Sequence, residues 1–270
     1  MSSPAANKLK PSALNHSQIM ALLLGEGVQN VVVLKETTST NSYLLKAPIE
    51  RQCAHVCIAE AQTAGRGRHG NKWLSAANRN IMLSLSWGFH GWPQDIGALS
   101  LAVGLAITKM LNESYGINAS IKWPNDILVD NAKLAGILID VAGHPGSDCQ
   151  VVVGVGLNVD QVDWDNNAEY AWCDLKQLGV AVERNELAAQ LIKAMVLVLR
   201  AFEDYGFASM VDAWNSLSAF SGRQVSVSQA GICLEGLMLG VENDGALLIE
   251  DERGKRHRIN DSRASLRLVN

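Results

Sequence analysis

Apolar positions along this chain change their period several times, and each change predicts an element. Ser17 to Leu24 carries a short helical pattern closed by Gly25, and Val31 to Lys35 is a β-branched run that predicts a strand. Thr37-Thr38-Ser39-Thr40-Asn41 then offers several N-caps for a helix that ends before Pro48. His55 to Gln62 reads as a buried strand and Ile81 to Trp87 as a half-alternating one. Ile96, Leu99, Val103, Ile107, Met110 and Leu111 recur at helical spacing across Asp95 to Tyr115. Leu187, Leu191, Met195, Val198, Leu199 and Phe202 do the same across Glu183 to Tyr205, the longest helical signal, and a shorter helix is predicted around Met210 to Leu217. Between the long helices, Ile121 to Val129 reads as two short extended pieces broken by Trp123-Pro124-Asn125-Asp126. Lys133 to Val141 and Gln150 to Val159 are apolar, β-branched runs that predict central strands.

After Gly222 the texture becomes short and alternating. Gln224–Val227, Cys233–Val241, Ala246–Glu250, Lys255–Ile259 and Ser265–Leu268 predict five strands, with Asn243-Asp244-Gly245 as one of the turns. The organisation predicted is α+β: a disordered lead over 1–12, a mixed sheet flanked by helices over 13–220, and a small all-β barrel over 221–270, the boundary falling near 218–222. The 270 residues suffice for one large domain plus a small one, and 48% hydrophobic with 19% charged residues argues against disorder.

A net charge of −4 excludes a global basic field for nucleic acid, so any anion site must be local. Five cysteines without a C-x-x-C pair fit a reduced, cytoplasmic protein, and six scattered histidines with no i, i+4 pair argue against structural zinc. The polar stretch Met1 to Pro11 is no signal peptide, and no apolar run approaches the length of a membrane span.

Local chemistry concentrates in Gly65-Arg66-Gly67-Arg68-His69-Gly70. The spacing satisfies the dinucleotide fingerprint G-x-G-x-x-G, but two arginines stand between the glycines. Asn71 to Ser75 lacks a helical period, and Leu83 to Trp87 holds no acidic residue for a ribose. A guanidinium-bearing loop that closes over an anionic small molecule fits better, its arginines gaining an anionic partner when ligand arrives. Three further segments keep it company: Ser39-Thr40-Asn41; Lys122-Trp123-Pro124-Asn125-Asp126 followed by Lys133-Leu134-Ala135-Gly136; and Gly154-Val155-Gly156-Leu157-Asn158.

Taken singly, these residues have plain readings as well. Lys133 heads an apolar strand, where a cation serves as an edge gatekeeper or faces a ligand. Asn41 suits a helix cap, Asp126 suits a Pro-Asn-Asp turn, Lys122 reaches phosphates or stays a surface charge, and Trp123 packs or walls a pocket.

In order and spacing, the four segments together with Glu60 to Trp73 closely resemble biotin–protein ligases, over about residues 14–268. The resemblance implies a core similar to class II aminoacyl-tRNA synthetases with a small SH3-like C-terminal barrel. It implies formation of biotinyl-5′-AMP from biotin and ATP, with Mg²⁺ at the leaving pyrophosphate, then transfer of biotin to a lysine of biotin carboxyl carrier protein. Ser39, Thr40, Asn41, Gln62, Gly65, Arg66, Gly67, Arg68 and Lys133 would hold biotin or its adenylate, and Asn158 and Trp172 would lie near the adenine. Arg68 and Lys133 would neutralise charge during transfer, and Asp126 would receive the carrier lysine. The family includes monomers and dimers formed along sheet edges. Many bacterial members carry an N-terminal helix-turn-helix; 38 residues precede Ser39 here with no basic recognition-helix pattern, which predicts a ligase without DNA binding. The competing readings are a lipoate–protein ligase or octanoyltransferase of similar fold, a biotin sensor without turnover, and a nucleotide-dependent oxidoreductase. The sensor would be expected to lose the cations Arg68, Lys122 and Lys133, and all three are present.

Overall fold

The computed structural model describes residues 12–46, 53–161, 171–229, 232–261 and 263–269. The predicted lead over 1–12 therefore lies almost wholly outside the described residues, as does most of the polar stretch after Asp160.

Helix α1 (His16–Leu22), capped by the Asn15 side chain on Gln18 N, leads into β1 (Val28–Leu34), α2 (Thr40–Leu44) and β2 (Ala54–Ala59). Strand β3 (Ile81–Phe89) and helix α3 (Leu99–Tyr115) follow, and α3 ends where Gly116 adopts φ 63°. Next come β4 (Ser120–Lys122), β5 (Asp126–Val129), β6 (Ala132–Ala142) and β7 (Cys149–Leu157). Helix α4 (Arg184–Tyr205), capped by Glu183, and α5 (Val211–Ser216) complete the larger layer. The seven strands form one mixed sheet in the order β1-β2-β3-β7-β6-β5-β4, parallel between β1 and β2 and antiparallel elsewhere. Strands β8 (Gln224–Gln229), β9 (Ile232–Val241), β10 (Leu247–Glu250), β11 (Arg256–Ile259) and β12 (Ser265–Leu268) form a second, antiparallel sheet in the order β11-β10-β9-β8-β12. That sheet is consistent with the SH3-like unit expected.

The sheet's two faces do different work, and the period of two along β7 shows why. Val151, Val153, Val155 and Leu157 point into the main core, where α3 and α4 cover them. The alternate residues Gln150, Val152, Gly154 and Gly156 point to the other face, which carries α2 and a cavity. Strand β3 departs from its half-alternating reading: all nine residues are buried, because it is paired on both edges and covered on both faces. Among the described residues, Ile96–Tyr115 is long and apolar enough by length and composition to cross a membrane, but it is the core helix of this layer, packed on α4 and β6.

Phe202 of α4 lies 2% exposed with its ring centroid 6.1 Å from that of Phe89 on β3, at the helix–sheet contact. Phe202→Ala should therefore destabilise the protein by about 3–5 kcal/mol, read as a lowered midpoint in urea unfolding with an unchanged slope.

Candidate functional site

A cavity of about 690 Å³ lies on the sheet's α2 face. Its lining includes Ser39, Thr40, Asn41, Gln62, Arg66, Gly67, Arg68, Lys122, Asp126, Lys133, Asn158 and Trp172, so the structure brings together every predicted site residue except Gly65. Gly65 lines the adjoining cleft on the far side of the same loop.

The middle of its floor is bare backbone, at Gly136, Gly154 and Gly156. Cross-strand pairing sets Met82, Gly156, Gly136 and Asp126 in one row and Ser84, Gly154 and Leu138 in the next. A Cβ on Gly154 would stand 2.2 Å from Asn41 Oδ1, and one on Gly156 would stand 2.3 Å from the Trp73 indole. The glycines of the Gly154-Val155-Gly156 motif are thus required by what lies on top of them.

One end of the cavity is a neutral hydrogen-bonding cradle. Ser39 caps α2, so Thr40 and Asn41 open the helix, and all three are buried. Gln62 Oε1 accepts from Thr40 N at 2.8 Å, and Ser84 Oγ lies 2.6 Å from Thr40 Oγ1 and 2.5 Å from Asn41 Oδ1. Asn41 Nδ2 donates to Asp140 Oδ2 at 2.8 Å.

The other end is cationic. Lys133 Nζ pairs with Asp126 Oδ1 at 2.6 Å, and Lys122 Nζ lies 3.9 Å from Asp126 Oδ2. The ammonium of Lys133 also sits 5.7 Å from the Trp73 ring and 5.3 Å from the Trp172 ring, which meet edge to face at 5.8 Å. Its orientation depends on a β-bulge: Ile127 pairs with Ala135 and Leu128 with Lys133, leaving Leu134 as the extra residue. Without that step, alternation would send Lys133 to the same face as Ala135, into the core. Backbone bonds from Lys133 N to Ala171 O (2.8 Å) and from Cys173 N to Lys133 O (3.0 Å) dock the Trp172 segment alongside. Asn158 Nδ2 donates to Cys173 O at 3.1 Å and holds that segment in place.

The glycine loop is a folded clasp. Arg66 bridges antiparallel to Lys72, Trp73 N donates to Gly65 O at 3.0 Å, and Gly67 N donates to Asn71 O at 2.7 Å. Gly65 is needed because a Cβ would meet Trp73 O at 2.7 Å, and Gly70 because its φ is 78°. Only a three-residue helical turn, Arg68–Gly70, interrupts the loop, so no dinucleotide helix follows. Arg68 Nη1 donates to Asn125 Oδ1 at 2.9 Å, whereas its buried Nη2 has no hydrogen-bond partner among the described residues. Burial pushes Arg68 below its ordinary value, opposed by Asp126 and Asp261. Arg66 corrects one expectation: it has an anionic partner without ligand, Asp140 Oδ2 at 2.7 Å.

Sequence reasoning passed over Asp140, Ser84 and the ligand-facing role of Trp73. The pairing Leu138↔Gly154 and the alternation along β6 would have put Asp140 on the cavity face once the glycine row was recognised. Burial pushes the Cys173 thiol, next to Trp172, up to about 11 and Cys57 up to about 12, so neither is poised as a nucleophile.

A neutral cradle at one end and a lysine–arginine cluster at the other suit an enzyme that activates a carboxylate against a nucleotide phosphate. Residues 33–158 match the Biotin/lipoate A/B protein ligase family. The chain is 35% identical over 240 residues to the bifunctional ligase/repressor BirA of Escherichia coli, covering 88% of this chain and 74% of that protein. It is 29% identical over 230 residues to the biotin–[acetyl-CoA-carboxylase] ligase of Paracoccus denitrificans, covering 83% of this chain and 95% of that one. The biotin protein ligase of Aquifex aeolicus, solved in complex with biotin and ATP, superposes with a TM-score of 0.76 at 27% identity, covering 89% of this chain and all of that one. This chain belongs to that family, as a biotin protein ligase.

Gly156→Ala should push Trp73 off its seat while leaving the hydrophobic core intact. Ultraviolet circular dichroism should lose the signature of the coupled Trp73–Trp172 pair, with the melting transition retained; an unchanged spectrum would show that the indole does not rest on Gly156.

Proposed function

We propose that the protein condenses biotin with ATP to biotinyl-5′-AMP, releasing pyrophosphate, and then transfers the biotinyl group to one lysine of a biotin carboxyl carrier protein. The observation that carries this reading is the polarity of the cavity, which is lined both by a neutral donor–acceptor cradle of Thr40, Asn41 and Gln62 and by the Lys133–Asp126–Arg68 cluster. A ureido ring needs donors and acceptors without net charge, and Thr40, Asn41 and Gln62 supply both. Trp73, lying across the glycine floor, would cover the apolar part of the acid.

In the first step a carboxylate oxygen attacks the α-phosphorus, and the bond to pyrophosphate breaks. Both reactants are anions, so cations and positioning supply the acceleration and no protein nucleophile is needed. Lys133 turns from Asp126 to the carboxylate, and Arg68 Nη2 takes a phosphate oxygen. Asn158 and Trp172 border the adenine. Mg²⁺ would enter with ATP, whose phosphates it accompanies. When bound, it neutralises the leaving pyrophosphate.

In the second step the carrier lysine amine attacks the mixed anhydride, the acyl–phosphate bond breaks and AMP leaves. Asp126, flanked by Lys122 and Lys133 in the unliganded protein, is released as Lys133 moves and receives the incoming ammonium and its proton. The carrier assignment rests on the acetyl-CoA-carboxylase ligases among the relatives. The negative net charge and five free cysteines support a cytoplasmic ligase that does not bind DNA.

Incubation with ATP, Mg²⁺, biotin and a purified carrier domain should add one biotinyl mass to the carrier, and lipoate in place of biotin should add none. Lys133→Gln should slow single-turnover pyrophosphate release by about 10²-fold while weakening ATP binding far less; release at the wild-type rate would refute the role. Asp126→Asn should slow transfer from preformed adenylate by about 10²-fold, more than it slows adenylation. A salt-resistant, sequence-specific gel shift by this polypeptide would overturn the absence of DNA binding.

A further inference from the structure

Glu60 directly follows β2, two residues before Gln62, and it lines neither the cavity nor the adjoining cleft. Glu60 Oε1 accepts from Leu14 N at 2.7 Å, and Oε2 accepts from Arg184 Nη2 at 2.6 Å. Arg184 is 1% exposed, and the same guanidinium donates to the carbonyls of Ser12 (3.1 Å), Asn78 (3.2 Å) and Asn80 (2.9 Å). The position is doubly unfavourable for a cation: it is buried, and it opens α4, where the helix dipole repels positive charge. Neither folding of the helix nor filling of the core calls for a charge there.

A second arm runs from Arg184 toward the opposite end of the cavity. Asn80, whose carbonyl it binds, accepts from Val159 N through Oδ1 at 3.0 Å and donates Nδ2 to Gln161. Gln161 N in turn donates to Asp174 Oδ2 at 3.1 Å. Val159 adjoins Asn158, and Asp174 is two residues beyond Trp172. One buried polar chain therefore joins the root of Gln62 to the roots of Asn158 and Trp172.

We propose that Arg184, through its ion pair with Glu60, is a positioning residue for the ligase reaction: it fixes the spacing between the acid-binding and nucleotide-binding halves of the cavity. The inference rests on the reading of that cavity as a site for biotin and ATP. Each half is built from its own side chains and binds its own substrate. What the node sets is whether the carboxylate and the α-phosphorus meet in line, and a misplacement of about 1 Å costs on the order of 10²-fold in rate.

Arg184→Lys tests this. Lysine keeps the charge but replaces a planar fork with a point donor, so it holds Glu60 or the carbonyls and not all of them. With both substrates saturating, the single-turnover rate constant for pyrophosphate release should fall by about 10²-fold, with the KM values for biotin and ATP changing less than about 3-fold. A purely structural role would lower the burst amplitude, as the folded fraction falls, and leave the rate constant alone. Glu60→Gln, which removes the acceptor for Arg184, should give the same kinetic signature at a lower melting temperature. A wild-type rate constant in folded Arg184→Lys would overturn the proposal. So would failure of both variants to show a cooperative melt, since the pair would then serve the whole fold. A wild-type protein that releases no pyrophosphate with biotin would refute the functional reading instead, and the control reveals that directly.

Discussion

Two like-charged reactants can be pressed together only where no side chain stands between them, and the glycine strip on strands β7 and β6 meets that constraint. Gly156 and Gly136 form one cross-strand row with Asp126 at its end, and Gly154 lies in the next row beside Ser84. Everything on the ligand side is set by this absence of Cβ atoms: Asn41 rests where Gly154 would clash, and Trp73 rests where Gly156 would. The same strands turn Val151, Val153 and Val155 the other way, under α3 and α4. A period of two lets one strand be both a cavity floor and a hydrophobic anchor, so the site's geometry inherits the rigidity of the core.

Charge on that floor is arranged before any ligand arrives. Asp126 holds Lys133, two indoles flank the ammonium, Asp140 holds Arg66, and Asn125 holds one arm of Arg68. An isolated cation in a partly buried cavity would be costly. Carboxylates that can later be exchanged for ligand oxygens keep it in position at low cost. Arg68 Nη2, without a hydrogen-bond partner among the described residues, is the exception, and burial already pushes that guanidinium below its ordinary value. On the proposed reading, an incoming phosphate would complete the contacts of that guanidinium where it already stands, which is the physical content of preorganisation.

Much of this was legible in the sequence because it is local or periodic. The long helices, the apolar runs of β6 and β7 and the Ser39 cap each follow from a repeat or a residue type. The arginines and the missing helical period set the glycine loop apart from a dinucleotide turn, and the structure has no helix opening there beyond the turn Arg68–Gly70. What escaped is long-range. The bulge at Leu134 exists only relative to β5, yet it decides which face Lys133 takes. Strand β3 read as half-alternating because its sequence cannot reveal that both of its faces are covered. Arg66 was expected to wait for ligand, and its partner Asp140 lies 74 positions away. At Gly65 a close carbonyl and at Gly70 a positive φ call for glycine, and neither reason can be seen in the motif alone.

The C-terminal sheet shows the same limit from another side. The pattern of apolar positions shortens after Gly222, which reads as a change of unit, but hydrogen bonds ignore that point. Trp123 Nε1 donates to Gly245 O at 3.1 Å, Asn215 both donates to and accepts from the backbone of Val241, and a Cβ on Gly245 would stand 2.7 Å from the Ala98 side chain. Ala264, Leu266 and Arg267 reach the main cavity itself. Trp123 therefore belongs to two structures at once: it walls the cavity from β4's end and anchors the second sheet against it. A sheet held only by apolar contact could slide over its partner. One pinned by an indole N–H at the cavity's edge, by a paired asparagine on α5 and by a glycine too crowded to carry a side chain has little freedom to do so, and the wall it gives the site stays put.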